Sequence, residues 1–255
     1  MGLGIFGPEA IAQGWVLQDS IRRSAPHATT QDLTGRLYLA DEQGAIVQYG
    51  ARGDSLRMYH PVSQESPTLL PWQLLRIQAY YPFQQTLKVL DQNLAEVATF
   101  QISETILANA ALSTDQHLWY ISSEWVLHKY QPILEQTVLS ASLQWYVSSQ
   151  STVHQLQEYQ NRLYIHVDDA MIVFDLFGNY LYRLPVDVTG TFHFFQDELY
   201  YLADGHLIFI NLYSKQLRQL PIPPKDRIRD VLTGDNILYT FTDQYIYLYR
   251  GQIAP

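Results

Sequence analysis

Apolar and aromatic residues recur along this chain in short runs that polar turns separate. A pair made of an aliphatic residue and an aromatic one opens most of these runs, and it returns about every forty residues. The pairs are Leu37-Tyr38, Leu118-Trp119, Leu163-Tyr164, Leu199-Tyr200 and Leu238-Tyr239. Between the first two pairs the interval is about twice as long, and residues 75–77 occupy the missing position. A repeat of this length built from short strands is typical of one blade of a β-propeller. The pattern therefore predicts an all-β fold of repeated four-stranded sheets.

Within each repeat, runs of strand-forming residues alternate with turn residues. The third, fourth and fifth units read as four strands each and cover residues 108–143, 153–185 and 191–220. The first two units read as three strands each, over residues 36–60 and 74–102. Segments with a period of 3.6 residues are missing, so the sequence predicts no helix of ordinary length.

The last unit, residues 227–250, also supplies only three strands. A strand-like segment at residues 15–21 lies ahead of the first unit with nothing else to pair with. Because a closed ring needs every sheet to cover its neighbours, we expect this segment to pair with residues 245–250. The sequence thus predicts a six-bladed β-propeller, closed by an N-terminal strand that completes the last blade. Residues 14–255 would form this single domain, and residues 1–13 a tail or a signal-peptide remnant.

Composition narrows the classes of partner. Hydrophobic residues make up 47% of the chain, which predicts a substantial core. The formal net charge of −9 and the absence of a basic stripe argue against nucleic acid as a partner. No apolar run is long enough to predict membrane insertion. Without Cys there are no disulfides or thiolate metal sites. We also expect a monomer.

The N-terminal segment leaves the location open. Ala10-Ile11-Ala12 has the small-x-small form of a signal-peptidase site, but residues 1–9 form a short leader without a basic region. We expect a periplasmic or extracellular protein, and a cytoplasmic one stays an alternative.

Several motifs have simpler explanations than function. The G-x-G-x-x-G spacing at residues 2–7 lacks a preceding strand, so a dinucleotide site is rejected. Arg52-Gly53-Asp54 and Asp168-Asp169 are interpreted as hairpin turns rather than as an adhesion motif or an acid–base pair. The eight His lack the close spacing of a metal site, and those interpreted as ordinary strand residues are His166, His193 and His206.

Two units resemble a known repeat family. Residues 35–41, Gly-Arg-Leu-Tyr-Leu-Ala-Asp, with the following strand at residues 46–49, resemble the NHL-type propeller repeat, and the fourth unit echoes them at Leu163-Tyr164 and residues 172–175. Residues 72–94 resemble a group of uncharacterised bacterial six-bladed propellers that often carry export signals. The resemblance implies a fold and an exported bacterial protein, and it implies no reaction.

Four residues of the second unit form the candidate contact site for a ligand or partner. Trp72, Arg76, Tyr80 and Tyr81 flank what the sequence presents as the innermost strand of that blade. An Arg near the axis could clamp a carboxylate while the aromatic rings supply apolar contact. The competing interpretation is that Arg76 pairs with a core carboxylate and that the rings pack between blades.

No catalytic residue, cofactor or metal ligand is expected from these patterns. The main hypothesis is a non-catalytic binding or scaffold propeller that holds a protein or peptide. The alternative is a metal-dependent, lactonase-like hydrolase, and a third interpretation is an extracellular sugar-binding protein.

Overall fold

All regular secondary structure in the described part of the chain is β-strand. The computed structural model describes residues 14–23, 26–50, 53–62, 64–73, 75–148, 150–186, 188, 190–223, 225, 227–234 and 236–251. Within these residues, twenty-four strands form six antiparallel sheets of four strands each. Each sheet is one blade, so the predicted six-bladed β-propeller is confirmed.

The first three blades use consecutive strands. Blade 1 contains β2 (Ala28–Gln31), β3 (Leu37–Ala40), β4 (Ile46–Tyr49) and β5 (Ser55–Tyr59). Blade 2 contains β6 (Thr68–Trp72), β7 (Arg76–Tyr81), β8 (Thr86–Leu90) and β9 (Glu96–Gln101). Blade 3 contains β10 (Ala111–Leu112), β11 (Leu118–Ile121), β12 (Val126–Gln131) and β13 (Gln136–Ser142).

The other three blades follow the same order until the ring closes. Blade 4 contains β14 (Val153–Tyr159), β15 (Arg162–Val167), β16 (Ala170–Asp175) and β17 (Tyr180–Pro185). Blade 5 contains β18 (Phe192–Phe195), β19 (Glu198–Ala203), β20 (His206–Asn211) and β21 (Leu217–Pro221). Blade 6 contains β22 (Asp230–Thr233), β23 (Ile237–Phe241), β24 (Tyr245–Arg250) and, as its outer strand, β1 (Val16–Arg22).

The closing strand pairs as the sequence predicts. β1 runs antiparallel to β24, from Val16 opposite Arg250 to Arg22 opposite Tyr245. A register shift between Leu17 and Asp19 marks a bulge in this outer strand. The two ends of the described chain therefore share one sheet, and no blade is left with three strands.

The first strand of each blade is innermost, because β2 contacts both β6 and β22 while β10 contacts β14. The repeated aromatic anchors lie one strand further out, on β3, β11, β15, β19 and β23, and all are buried. In blade 2 the anchor position is occupied by Gln78, which follows Ile77 on β7. The anchors fill the space between neighbouring blades, where six separate apolar clusters form the core.

The sequence misses the innermost strands of blades 1 and 2. β2 has the sequence Ala-Thr-Thr-Gln, which carries almost no apolar signal. β6 contains Pro71, which argues against a strand in a sheet interior. Pro71 is tolerated here because β6 is an edge strand of its sheet, and the edge places no demand on the missing N–H.

Side-chain carboxamides join the inner parts of three neighbouring blade pairs. Gln78 of blade 2 donates from Nε2 to Leu112 O at 3.1 Å and accepts from Leu112 N at 2.6 Å. Asn109, just before β10, does the same with Leu156 O and N at 2.8 and 2.9 Å. Gln155 makes two bonds of 3.2 Å with the backbone of Phe192. We call these three junctions, 2/3, 3/4 and 4/5, the carboxamide seams.

The junction of blades 5, 6 and 1 uses a carboxylate instead. Asp230 of β22 accepts a hydrogen bond from the Thr29 hydroxyl of blade 1. Its other oxygen lies 3.3 Å from His193 Nε2 of blade 5 and accepts from Val231 N at 2.8 Å. Tyr200 adds a further link between blades 5 and 6, since its hydroxyl accepts from Thr233 N at 3.1 Å. We call this junction the charged seam.

Candidate functional site

The two faces of the ring differ in which turns they carry. Because each sheet is an antiparallel meander, all innermost strands begin at one face, where the turns between second and third strands also lie. We call this the mouth face. The opposite face, which carries the turns between first and second strands and between third and fourth strands, is the far face.

A cavity of about 480 Å³ opens along the axis at the mouth face. Five blades line it with the first residues of their innermost strands, and blade 3 contributes none of the lining. Thr30, Leu70 and Gln157 form its deeper wall, and the rim includes His27, His154 and His193. This volume suits a small ligand or a few residues of a peptide.

The deeper wall contains polar groups that the fold leaves available. Thr30 is 1% exposed, and its hydroxyl makes no hydrogen bond with any described residue. Gln157 is 4% exposed and accepts from Gln155 Nε2 at 3.3 Å, while its own amide nitrogen donates to no described residue. Buried polar groups in proteins are normally paired, so these two can pair with water or with a ligand in the channel.

The charged seam forms part of the rim. Asp230 and His193 both line the cavity, and their contact with each other and with Thr29 fixes their positions. Thr191 Oγ1 lies 3.4 Å from the same His193 nitrogen. The rim can therefore offer oriented imidazole and hydroxyl groups.

A second histidine lies behind His154 at the rim. The His154 and His166 rings are 4.7 Å apart. His166 Nε2 lies 3.1 Å from the carbonyl oxygen of Asp168 and donates to it, whereas Nδ1 is buried without a partner among the described residues. Burial, together with the charge of His154, lowers the pKa of His166 to about 4. At neutral pH the inner ring is therefore uncharged.

The described residues offer no donor set for a metal ion. No group of three or more His, Asp or Glu comes together anywhere in that part of the chain. The pair His154 and His166 supplies only two nitrogens, and one of these rings already donates to a carbonyl. A lactonase-like metal centre thus lacks fitting ligands in these residues, and no step through a metal is derived.

Trp72 and Arg76, the first two candidate contact residues, lie together at the far face. They are opposite each other across the turn between β6 and β7, and the guanidinium carbon is 5.6 Å from the centre of the indole ring. Arg76 Nη1 lies 3.4 Å from Gln73 Oε1, and no ion pair with a described carboxylate is present. The expected pairing of Arg76 with a core carboxylate is therefore wrong within these residues.

Tyr80 and Tyr81 lie at the opposite end of β7, near the mouth face. Both are buried, Tyr80 against blade 3 and Tyr81 against blade 1, as the competing interpretation expected. Burial is the main cause that raises the pKa of Tyr80 to about 12, and it also raises the pKa of Tyr81. The structure therefore does not bring the four candidates together.

The position of the candidate strand also needs correction. Trp72 ends the innermost strand of blade 2, but Arg76, Tyr80 and Tyr81 belong to the second strand. The sequence of blade 2 presents β7 as its innermost strand because Pro71 hides the strand character of β6. As contacts for a ligand or partner, the four residues stay a prediction.

Other sequence motifs fall where turns were expected or outside the described residues. Gly53 and Asp54 lie in the turn between β4 and β5, and Asp168-Asp169 joins β15 to β16. Arg52 and the glycine-rich segment 2–7 lie outside the described residues.

Sequence reasoning missed the channel residues themselves. Thr30 belongs to a strand that was not recognised, while Gln157 and His193 lie on strands that were. The available signal was a polar side chain within the first strand of a unit, because that strand faces the axis. Reading it requires knowing which strand of each blade is innermost.

No protein-family model and no curated protein matches this chain. Among solved structures, BamB from Moraxella catarrhalis is similar with a TM-score of 0.54 and 12% identity, over 93% of this chain and 100% of that one. The β-propeller domain of Cps50 (Swd1) from Myceliophteria thermophila has a TM-score of 0.61 and 9% identity, over 93% and 99%. At these identities the likeness shows the fold alone. Across the described residues, a membrane-spanning helix is not found.

Proposed function

We propose that this protein is a non-catalytic binding propeller that holds a peptide segment of a partner protein at the mouth of its axial channel. The observation that carries the proposal is the pair of buried, available polar groups on Thr30 and Gln157 in a cavity of about 480 Å³. An extended peptide carries N–H and C=O groups along its length that hydroxyl and carboxamide side chains can pair with.

Exposed apolar residues at the same face support a protein as the partner. Phe83 lies in the turn between β7 and β8, and Val62 and Trp145 lie in the loops that lead from blades 1 and 3 to the next blade. All three are at least 85% exposed. Large apolar side chains left in water at a rim are typical of surfaces that a macromolecule covers.

The proposal is tested with a displayed library of random twelve-residue peptides. We expect the library to yield peptides that bind the protein with micromolar Kd. Thr68→Trp fills the channel from a lining position whose hydroxyl has no described partner, and it should weaken binding at least tenfold. Ser55→Trp places the same side chain on an exposed outer strand and serves as the control. Failure to enrich any peptide, or equal binding by Thr68→Trp, would contradict the channel site.

The location and family are part of this proposal. The small-x-small pattern at residues 10–12 supports export, and residues 35–41 support an NHL-like bacterial origin. Expression of the full chain in a bacterium, followed by fractionation and mass determination of the N-terminus, tests the export. Retention in the cytoplasm with an intact N-terminus would contradict it. Light scattering tests the expected monomer.

A further inference from the structure

Turns that carry acidic residues surround the axial channel at the mouth face. In five of the six blades, the turn between the second and third strands contains a carboxylate, and blade 2 is the exception. The turn of blade 1 also contains Asp41, whose carboxylate accepts hydrogen bonds from Gln43 N and Ala45 N of its own turn. Apart from Asp41, the five turns contribute Glu42, Glu124, Asp168 with Asp169, Asp204 and Asp243. We call these side chains the mouth carboxylates.

Two mouth carboxylates are neutralised within the fold. Asp169 lies 3.4 Å from Arg183, and Asp243 contacts both Arg227 and Arg229. The other four form no ion pair with a described residue; they are Glu42, Glu124, Asp168 and Asp204. These four come from blades 1, 3, 4 and 5, so unpaired negative charge lies on several sides of the channel.

Of the four free carboxylates, one lines the channel and three lie in turns at the same face. Glu42 lines the cavity itself. Asp168 accepts a hydrogen bond from Thr152 N at 2.8 Å, and this bond is the main cause that lowers the pKa of Asp168. Unlike these four carboxylates, Asp41 at the mouth face and several far-face aspartates accept hydrogen bonds from the backbone of their own turns, as Asp91 does from Asn93 N and Ala95 N.

We propose that the partner segment held at the mouth face is positively charged, with Lys or Arg residues that contact the mouth carboxylates on either side of an uncharged stretch in the channel. This inference rests on the proposed function. The protein's net charge of −9 favours the same partner at long range. Complementary charge raises association rates and selects partners, even where each exposed pair contributes little affinity.

The channel indicates a ligand at this face independently of the mouth carboxylates. The available groups of Thr30 and Gln157 are uncharged, so the deep part of the site suits an uncharged stretch. The carboxylates lie outside it in exposed turns, where water already solvates them and contact with cations costs little desolvation. The two parts together therefore predict that the bound segment has an uncharged middle with positively charged residues on either side.

Two triple variants test the charge. E42Q/E124Q/D204N removes three mouth carboxylates that have no side-chain partner among the described residues. D19N/D54N/E135Q removes three exposed carboxylates elsewhere, so both variants lose the same charge. Asp168 is left unchanged because it holds the Thr152 backbone.

The probe is a fluorescein-labelled peptide with the sequence Lys-Gly-Ser repeated three times, measured by anisotropy at 50 mM and 200 mM salt. We expect the mouth variant to bind at least fivefold more weakly than the control variant, and salt to weaken binding to the unmodified protein. Equal binding by the two variants would overturn the inference.

The same variants are then measured with the library peptides that bind best. Net positive peptides that lose affinity in the mouth variant support the inference. Neutral or acidic peptides that still need an open channel would overturn it while leaving the proposed function intact. Basic peptides that depend on the mouth carboxylates but bind equally to Thr68→Trp would contradict the channel site, and with it the uncharged stretch, while the preference of the mouth face for basic segments would stand.

Discussion

The carboxamide seams and the charged seam both join the innermost parts of neighbouring blades, but they do so with different side-chain chemistry. At blades 2/3, 3/4 and 4/5, one uncharged side chain satisfies both the N–H and the C=O of a neighbouring inner strand. At blades 5, 6 and 1, Asp230 holds two side chains from different blades and also lines the channel. The seams of Gln78 and Asn109 lie outside the channel lining, whereas Gln155 of the 4/5 seam lines the channel and donates to Gln157. The charged seam couples three blades to the site.

The largest expected effect comes from breaking a carboxamide seam. Asn109→Leu leaves the backbone N–H and C=O of Leu156 buried without partners. Because each such group costs about 1–3 kcal/mol, we expect a loss of about 3 kcal/mol in the free energy of unfolding. Urea denaturation measures it, with the exposed Asn93→Ala as a control that should change stability by less than about 0.5 kcal/mol. A loss below about 1 kcal/mol would show that the seam is dispensable.

The free energy of unfolding should depend on pH through His166, which lies beside Phe192 of the 4/5 seam. Its pKa is lowered from an ordinary 6.5 to about 4, so the unfolded chain binds the proton more readily. The stabilisation is therefore complete above pH 6.5 and falls as the pH drops to about 4, by about 3 kcal/mol in total. Urea denaturation of His166→Phe across this range should show a flatter profile. An unchanged slope would assign the pH dependence to other groups.

The charged seam should respond more mildly to Asp230→Asn. The carboxamide retains an oxygen for the Thr29 hydroxyl or for Val231 N but removes the negative charge beside His193. We expect a loss of about 2 kcal/mol in stability and, unlike Asn109→Leu, weaker peptide binding at the channel. Denaturation and anisotropy on both variants separate the two seams. Unchanged peptide binding by Asp230→Asn would mean that the charged seam, like the seam of Asn109, serves the fold alone.

The smallest effect is expected on the outer side of the 3/4 junction. Gly178 has φ +77, and an added Cβ would lie 2.6 Å from Leu139 Cδ2. Gly178→Ala should lose about 1 kcal/mol, because an L-residue is strained at this φ while the Leu139 side chain can move. Thermal denaturation measures it against Gly205→Ala, which has a similar φ and open space around it. An equal loss in both variants would mean that the contact with Leu139 adds nothing.

The sequence predicts blades 3 to 5 strand by strand, because each of their strands carries apolar residues and ends in a recognisable turn. It also predicts the pairing of β1 with β24, since a ring leaves that strand no other partner. It misses β2 and β6, the innermost strands of blades 1 and 2, because β2 carries almost no apolar signal and β6 contains Pro71.

The candidate site was less predictable than the fold. Trp72 and Arg76 are conspicuous in the sequence, whereas the residues that line the channel include Thr30, Gln157 and His193. These residues become a site only when blades distant in sequence meet at the axis. The sequence pattern of a single blade does not show which residues of the other blades lie next to it at the axis.

The pairing of Val16 with Arg250 determines how the ring would respond to mechanical force. Paired residues in an antiparallel ladder are about 5 Å apart, so a load applied at these two positions acts across the strands and not along them. The hydrogen bonds between β1 and β24 would then break one pair after another, like a zipper. A pulling experiment anchored at Trp15 and Gly251 should therefore record an early, low-force release of β1, with blades 1 to 5 still folded.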